Sequence, residues 1–409
     1  MKHIVILGAG TAGTMMAARL SRRLAPEQWS ITVVDKDDTH VYQPGLLFVP
    51  FGSYRPDEIV RPRSALLPPG VTVILSSITA VEPDTRRVVL ADGQVLAYDV
   101  LVLATGSQIH PEAHEGLTGP GWRTNAHDFY TLEGATALAR ALDGFTGGRI
   151  VLNVGEMPIK CPVAPLEFLF LADAYLQDRG IRNKVELVYA TPLDGAFTKP
   201  RCNVALSGLL ETRNIELQTD FNVSKVDTEA RKLEAYDGRV VDYDLLVSIP
   251  VHSGAEVLRT SGLTNDQGWV PTHKHTLQTL AHPEVFAIGD TTDLLSSKAG
   301  SVAHFQAEVL TENILRHVEG QPLRPDFDGH ANCFIETGHG KALLIDFNYT
   351  TEPLPGRFPL PGLGPFTLLE ESRVNHWGKL GFRWVYWNML LKGEDLPLDH
   401  RMVMAGKWA

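Results

Sequence analysis

Cysteine is scarce: Cys161, Cys202 and Cys333 are all that 409 residues contain. That excludes a disulfide-dense secreted scaffold but leaves enough for one redox pair. No apolar run reaches the roughly 20 residues that a bilayer-spanning helix needs. A basic excess is missing too. With 37 Lys and Arg against 48 Asp and Glu the formal net charge is -11, so a phosphate backbone would be repelled and general nucleic-acid binding is not expected. Met1-Lys2-His3 runs straight into a glycine motif, leaving no room for an apolar targeting stretch, which predicts a cytoplasmic protein. Repeats at solenoid periods are absent, and no metal site is expected.

What is present is the balance of a globular protein, with 44% hydrophobic and 21% charged residues in a chain long enough for two or three domains. Residues 3–7 form a β-branched apolar run suited to a buried parallel strand. Gly8-Ala9-Gly10-Thr11-Ala12-Gly13 follows, then a helical stretch to about residue 24 and a second strand over 31–34 that ends at Asp35. This is a βαβ unit. Residues 71–81, 87–90 and 100–103 read as further strands, the last closed by Ala104-Thr105-Gly106. A second βα pattern starts at 150–154, with a helix over 162–177, a strand over 185–189 and a helix near 204–213. A strand over 285–288 leads into Gly289-Asp290 and a helix over 301–318. The pattern predicts an α/β fold with two Rossmann-like dinucleotide-binding domains. Residues 1–108 and 252–325 would form the first and 109–251 the second. The C-terminal segment 326–409 would carry Cys333 and an amphipathic aromatic tail, with a Pro/Gly-rich irregular arm over 353–365.

A lone GxGxxG is weak evidence, but this one follows a strand, opens a helix and has an acid about 20 residues on. Gly8, Gly10 and Gly13 let the backbone approach a pyrophosphate, the amides at Thr11 and Ala12 open the helix toward it, and Asp35, followed by Lys36, would take an adenosine ribose. Ala104, Thr105 and Gly106 after one strand, and Gly289 and Asp290 after another, match the two-domain flavin disulfide reductases, in which such an Asp binds the ribityl chain. Three features in order favour FAD. The second unit reads Gly155-Glu156-Met157-Pro158-Ile159-Lys160-Cys161 where an NADH-binding relative would carry its own glycine loop. Glu156 would repel a pyrophosphate and Pro158 removes an amide donor, so a nicotinamide cofactor is not expected there.

Cys161 occupies the place of that missing loop. Pro162 suits a first helical position, so Cys161 is expected near the helix N-cap, where the helix end and Lys160 would lower its pKa. Glu167, further along the same helix, is a candidate proton acceptor beside it. Cys333, in Asn332-Cys333-Phe334-Ile335 among β-type residues, gains interest only as a partner. Cys202 is expected to be inert, in a polar loop or helix start.

These residues resemble the sulfide:quinone oxidoreductases and the flavoprotein subunit of flavocytochrome c sulfide dehydrogenase, across nearly the whole chain. The matching segments include Tyr42-Gln43-Pro44-Gly45-Leu46, Val49-Pro50-Phe51-Gly52, Lys160-Cys161-Pro162, Ala164-Pro165-Leu166-Glu167, Lys298-Ala299-Gly300, Gln306-Ala307 and Asn332-Cys333-Phe334. The resemblance implies a Cys161–Cys333 redox pair on one face of the flavin and places Lys298 among the cofactor contacts. Sulfide would attack Cys161 to leave a persulfide and release Cys333 as a thiolate that relays electrons to the flavin, with a membrane quinone as final acceptor. A two-cysteine arrangement is nearer to the flavocytochrome subunit and to divergent quinone reductases, so a persulfide or polysulfide stays open as substrate. So do an NADH:quinone dehydrogenase of the same fold, a low-turnover flavin sulfur carrier or redox partner, and a homo-oligomer.

The tail points to the same acceptor. Residues 374–392 hold Lys379, Arg383 and Lys392 and no acid. Trp384, Trp387 and Leu391 fall on one helical face, which predicts a membrane-surface helix on a peripheral protein at the cytoplasmic face of the cell membrane.

Overall fold

The computed structural model describes residues 1–359, 364–396 and 398–408. The glycine motif sits at the C-terminal edge of a parallel sheet. Its five strands run in the order Val285–Ala287, Val100–Leu103, Lys2–Leu7, Trp29–Asp35 and Val71–Leu75. Ile4 pairs with Ile31 on one side and Val100 on the other, so both neighbours of the first strand bring apolar β-formers to its buried faces. Ile4, Val5, Ile6 and Leu7 have no exposed surface, and each such side chain contributes about 1.5–3 kcal/mol relative to an exposed one. The helix Thr11–Arg23 covers this sheet and ends in Arg22 and Arg23, whose charges suit a helix C-terminus.

A second parallel sheet has the order Ala126–His127, Leu245–Ile249, Gly148–Val154, Val185–Ala190 and Ile215–Gln218. Its central strand leads into the Cys161 loop and the helix Ala164–Asp178. A four-stranded mixed sheet follows, ordered Ala331–Gly338, Lys341–Phe347, Phe366–Leu368, Gly356–Phe358. The helix Arg373–Val385 lies against it, capped by Ser372, whose hydroxyl accepts from the Asn375 amide. A Cβ at Gly378 would come within 2.9 Å of Phe334 and 2.6 Å of Phe366, so the glycine lets this helix approach the Cys333 strand.

Three expectations change. Residues 71–81 are two strands, Val71–Leu75 and Ile78–Glu82, in different sheets. The Pro/Gly-rich arm contains the short strand Gly356–Phe358, and residues 360–363 lie outside the described residues. In the tail, Trp387 and Leu391 are buried at 4% and 1% exposure, whereas Trp377 and Trp384 are exposed at 65% and 62%. The stripe read as lipid-facing is split, with Trp384 exposed and the other two packed inward: the π-helical turn Tyr386–Leu390 follows the α-helix and places Trp387 beside His40 and Tyr42, with Arg61 over its ring. Among the described residues no helix is long and apolar enough to cross a membrane.

Candidate functional site

One cavity of about 650 Å³ collects nearly every residue singled out from the sequence. Gly8, Gly10, Thr11, Ala12, Asp35, Lys36, Ala104, Thr105, Gly106, Gly289, Asp290 and Lys298 line it, and so do Cys161, Glu167 and Cys333. Gly13 does not. A Cβ there would stand 1.8 Å from the Gly8 carbonyl oxygen, so its function is close packing of helix on strand. Gly8 has φ +101°, and a Cβ would strike the Ala104 carbonyl oxygen at 2.4 Å. A Cβ at Gly10 would meet nothing within 4 Å. The motif therefore presents bare backbone to open space, the cradle that a pyrophosphate requires.

The acids at the strand ends are held in place. Asp35 Oδ2 accepts from the Ala9 amide at 2.7 Å, Oδ1 accepts from the Lys36 amide at 2.8 Å, and Arg63 pairs with it at 2.6 Å. Burial raises the Asp290 carboxyl, with Lys298 and Lys160 only partly offsetting it. Lys298 is occupied within the protein: Nζ donates to the Asp290 and Thr292 carbonyls at 2.9 and 2.6 Å and lies 3.8 Å from the Trp269 ring centroid. Burial lowers this ammonium to about 8. The cradle of glycines, the half-buried Asp290 and the cavity running on to the cysteines fit a dinucleotide flavin.

The cysteines come from two parts of the fold, Cys161 from the loop after the strand Gly148–Val154 and Cys333 from the mixed sheet. Cys161 sits at φ +47°, a left-handed conformation costing on the order of 1–3 kcal/mol for a residue with a side chain. Its backbone is clamped there, because its amide donates to the Lys298 carbonyl at 2.7 Å and its carbonyl accepts from the Tyr130 hydroxyl at 3.2 Å. Cys333 lies on the strand Ala331–Gly338. Both are free thiols, not bonded to each other, and each lies close enough to the cavity to line it.

The expectation of an activated Cys161 is overturned. The helix starts at Ala164 with Val163 as its N-cap, so Cys161 lies before the cap. Burial raises its pKa, and Glu167 raises it further, while Lys379 is the cation that opposes this. Lys160 points elsewhere, with Nζ donating to Gln43 Oε1 at 2.8 Å. Cys333 is pushed up to about 11 by burial and Glu167, again opposed by Lys379. Cys202 lies in the first turn of the helix Pro200–Thr212, buried, raised to about 12 by burial, and away from the cavity lining.

Sequence reasoning counts Lys379 only among the basic residues of the tail and assigns it no site. It points inward, forming an ion pair with Glu167 and donating to the Phe334 carbonyl at 3.1 Å. Burial alone would lower the Lys379 ammonium, but Glu167 and Glu336 more than offset that. Burial raises the Glu167 carboxyl, which Lys379 only partly counters, and Glu167 Oε2 is buried without a hydrogen-bond partner. Tyr386 was missed as well. Its hydroxyl bridges Thr11 Oγ1 and His40 Nε2, each at 2.7 Å, tying the C-terminal turn to the glycine loop. An inward-pointing lysine on a helix between two exposed tryptophans has no local signature.

On the second sheet, no glycine loop follows the strand Gly148–Val154. A Cβ at Gly155 would lie 2.0 Å from His114 Nε2, so that imidazole fills the space beside the turn.

A profile of the pyridine nucleotide-disulphide oxidoreductases matches residues 2–308. The mitochondrial sulfide:quinone oxidoreductase of Mus musculus is 28% identical over 398 residues, covering 96% of this chain and 86% of that protein. The sulfide-quinone reductase of Aquifex aeolicus is 23% identical over 342 residues, with 78% of each covered. The crystal structure of an Aquifex aeolicus sulfide:quinone oxidoreductase superposes with a TM-score of 0.79 at 21% identity, covering 96% of this chain and 92% of that one. This likeness shows the fold, and the family implies a flavin-type cofactor. With the profile spanning both parallel sheets, the chain belongs to the pyridine nucleotide-disulphide oxidoreductase family.

Proposed function

We propose that this protein is an FAD-dependent oxidoreductase that takes electrons from sulfide, or a related sulfur species, and passes them to a membrane quinone. The observation that carries the reading is that Cys161, from a loop, and Cys333, from a strand of the mixed sheet, share one cavity with the glycine cradle. Gly8, Gly10, Thr11 and Ala12 would hold the FAD pyrophosphate, Asp35 the adenosine ribose and Asp290 the ribityl chain. FAD, when bound, supplies a two-electron acceptor that can be reoxidised by a quinone. The reading assigns FAD to residues 1–108 with 252–325, and the domain 109–251 to carrying Cys161.

The chain's own residues do the sulfur chemistry. In the oxidised enzyme Cys161 and Cys333 form a disulfide. Sulfide as HS⁻ attacks Cys161 Sγ, the S–S bond breaks, Cys161 keeps a persulfide and Cys333 leaves as a thiolate. Lys379 is the cation that favours this thiolate. Glu167, its carboxyl raised by burial, holds the proton when the substrate arrives as hydrogen sulfide. The exposed Trp377 and Trp384, with the exposed Lys392, would seat the helix Arg373–Val385 on the cytoplasmic face of the membrane from which the quinone is drawn.

The test is an anaerobic titration with sulfide followed by decylubiquinone, on wild type, Cys161→Ala and Cys333→Ala. Sulfide bleaches the wild-type flavin, and both variants lose at least about a hundredfold in rate, about 2.7 kcal/mol of barrier. Unchanged rates in either variant would refute the paired-thiol reaction, and bleaching by NADH would point to a dehydrogenase instead.

A further inference from the structure

Behind the Glu167–Lys379 pair lies a second acid that the sulfur chemistry does not use. Glu336, on the Cys333 strand, is completely buried, and both of its carboxylate oxygens lie 2.9 Å from His376 Nδ1. The His376 side chain is 21% exposed, so the imidazole has one edge on Glu336 and the rest toward the surface. His376 stands one turn before Lys379 on the same helix. The Glu336 amide donates to Glu167 Oε1 at 2.7 Å, which brings the two carboxylates to one place.

The charges of this cluster do not balance without a further proton. Glu167 and Glu336 are buried at 1% and 0% exposure, and among the described residues Lys379 is the permanently charged cation paired with Glu167. Two buried carboxylates against one ammonium leave a net negative charge in a low dielectric, which favours uptake of a proton by the cluster as a whole. The other groups facing the cluster are Tyr54, whose hydroxyl senses both Glu336 and Lys379, Arg383 over the Tyr54 ring, and the two thiols. None of these provides a second charge-compensating contact to Glu336.

The reaction proposed above creates a demand for such a proton. Written with HS⁻, it is HS⁻ + quinone + H⁺ → S⁰ + quinol: sulfide loses two electrons, the quinone gains them, and the quinol carries two protons where HS⁻ brought one. The second proton has to enter from solvent.

We propose that His376 and Glu336 form the inlet through which that proton reaches the Glu167–Lys379 pair at the cavity and, from that pair, the quinone as it becomes quinol. The inference rests on the sulfide:quinone reading, and the two residues act through Glu167 and Lys379, as positioning residues. His376 picks up a proton at the surface, Glu336 receives it, and rotation of the Glu336 carboxyl passes it toward Glu167, whose Oε2 has no other partner.

The experiment compares wild type with Glu336→Gln and His376→Ala as flavin-loaded proteins. Reduction by HS⁻ alone needs no outside proton, so anaerobic bleaching proceeds within about twofold of wild type in both variants. Quinone turnover falls at least tenfold at pH 8 and less at pH 6, where protons are abundant, and added imidazole restores most of it in His376→Ala. Wild-type turnover in both variants across this range would overturn the inlet. So would a pH-independent loss that imidazole does not rescue, which is the mark of a structural role. Failure of sulfide to bleach the wild-type flavin would overturn the functional reading, and the inlet with it.

Discussion

Replacing Lys379 with Met removes the single cation from a pair in which Glu167 is 1% exposed and already has one unpartnered oxygen. Breaking a buried pair from one side costs about 3–5 kcal/mol, because the remaining charge stays desolvated. Protonation of Glu167 relieves part of this, so the expected loss at pH 7 is about 3 kcal/mol. The Glu167→Gln/Lys379→Met double variant removes both charges at similar volume and should fall within about 1.5 kcal/mol of wild type, a coupling of at least about 1.5 kcal/mol. The pH dependence carries a sign. Burial holds the Glu167 carboxyl above its usual range in the folded protein, and loss of Lys379 raises it further. A group raised on folding contributes stability that is complete below its unfolded value and lost as pH rises through the folded one. The deficit of Lys379→Met therefore grows from pH 5 to pH 8. Urea denaturation at fixed excess FAD, followed by tryptophan fluorescence at several pH values, measures all three quantities. A deficit that is flat with pH, together with a double variant no more stable than the single one, would refute the buried-pair argument.

Two further outcomes follow from geometry. Gly13→Val would place a side chain where even a Cβ lies 1.8 Å from the Gly8 carbonyl oxygen, forcing helix and strand apart; flavin content of the purified protein, read as the ratio of flavin to protein absorbance, should fall below about a tenth of wild type. Trp377→Glu and Trp384→Glu should each weaken sedimentation with anionic liposomes at least fivefold while leaving the melting curve unchanged, because both rings are exposed. Trp387→Glu should instead destabilise the fold, since that ring is 4% exposed beside His40 and Tyr42.

The strand–glycine–helix start, the acids at strand ends and the broken second loop were legible because each depends on local chemistry. A buried parallel strand needs a β-branched apolar run, and a pyrophosphate turn needs residues without side chains. Local pattern also named the two cysteines that meet at the cavity. It misjudged the state of Cys161, because a helix end lowers a thiol only where it touches it, and here burial and Glu167 act instead. It placed Trp387 and Leu391 on one face with the exposed Trp384, because amphipathic spacing identifies an apolar stripe but not the surface that covers it.

By itself, the order of residues determined the two dinucleotide-type units and which thiols and acids had chemistry to offer, since backbone geometry and strand burial are written within a few tens of residues. Only the tertiary structure decided that Lys379, Glu336 and His376 stand behind Glu167, and that Tyr386 closes onto the glycine loop. Those partners are far apart along the chain, and the field that a buried charge feels depends on which elements the core brings together.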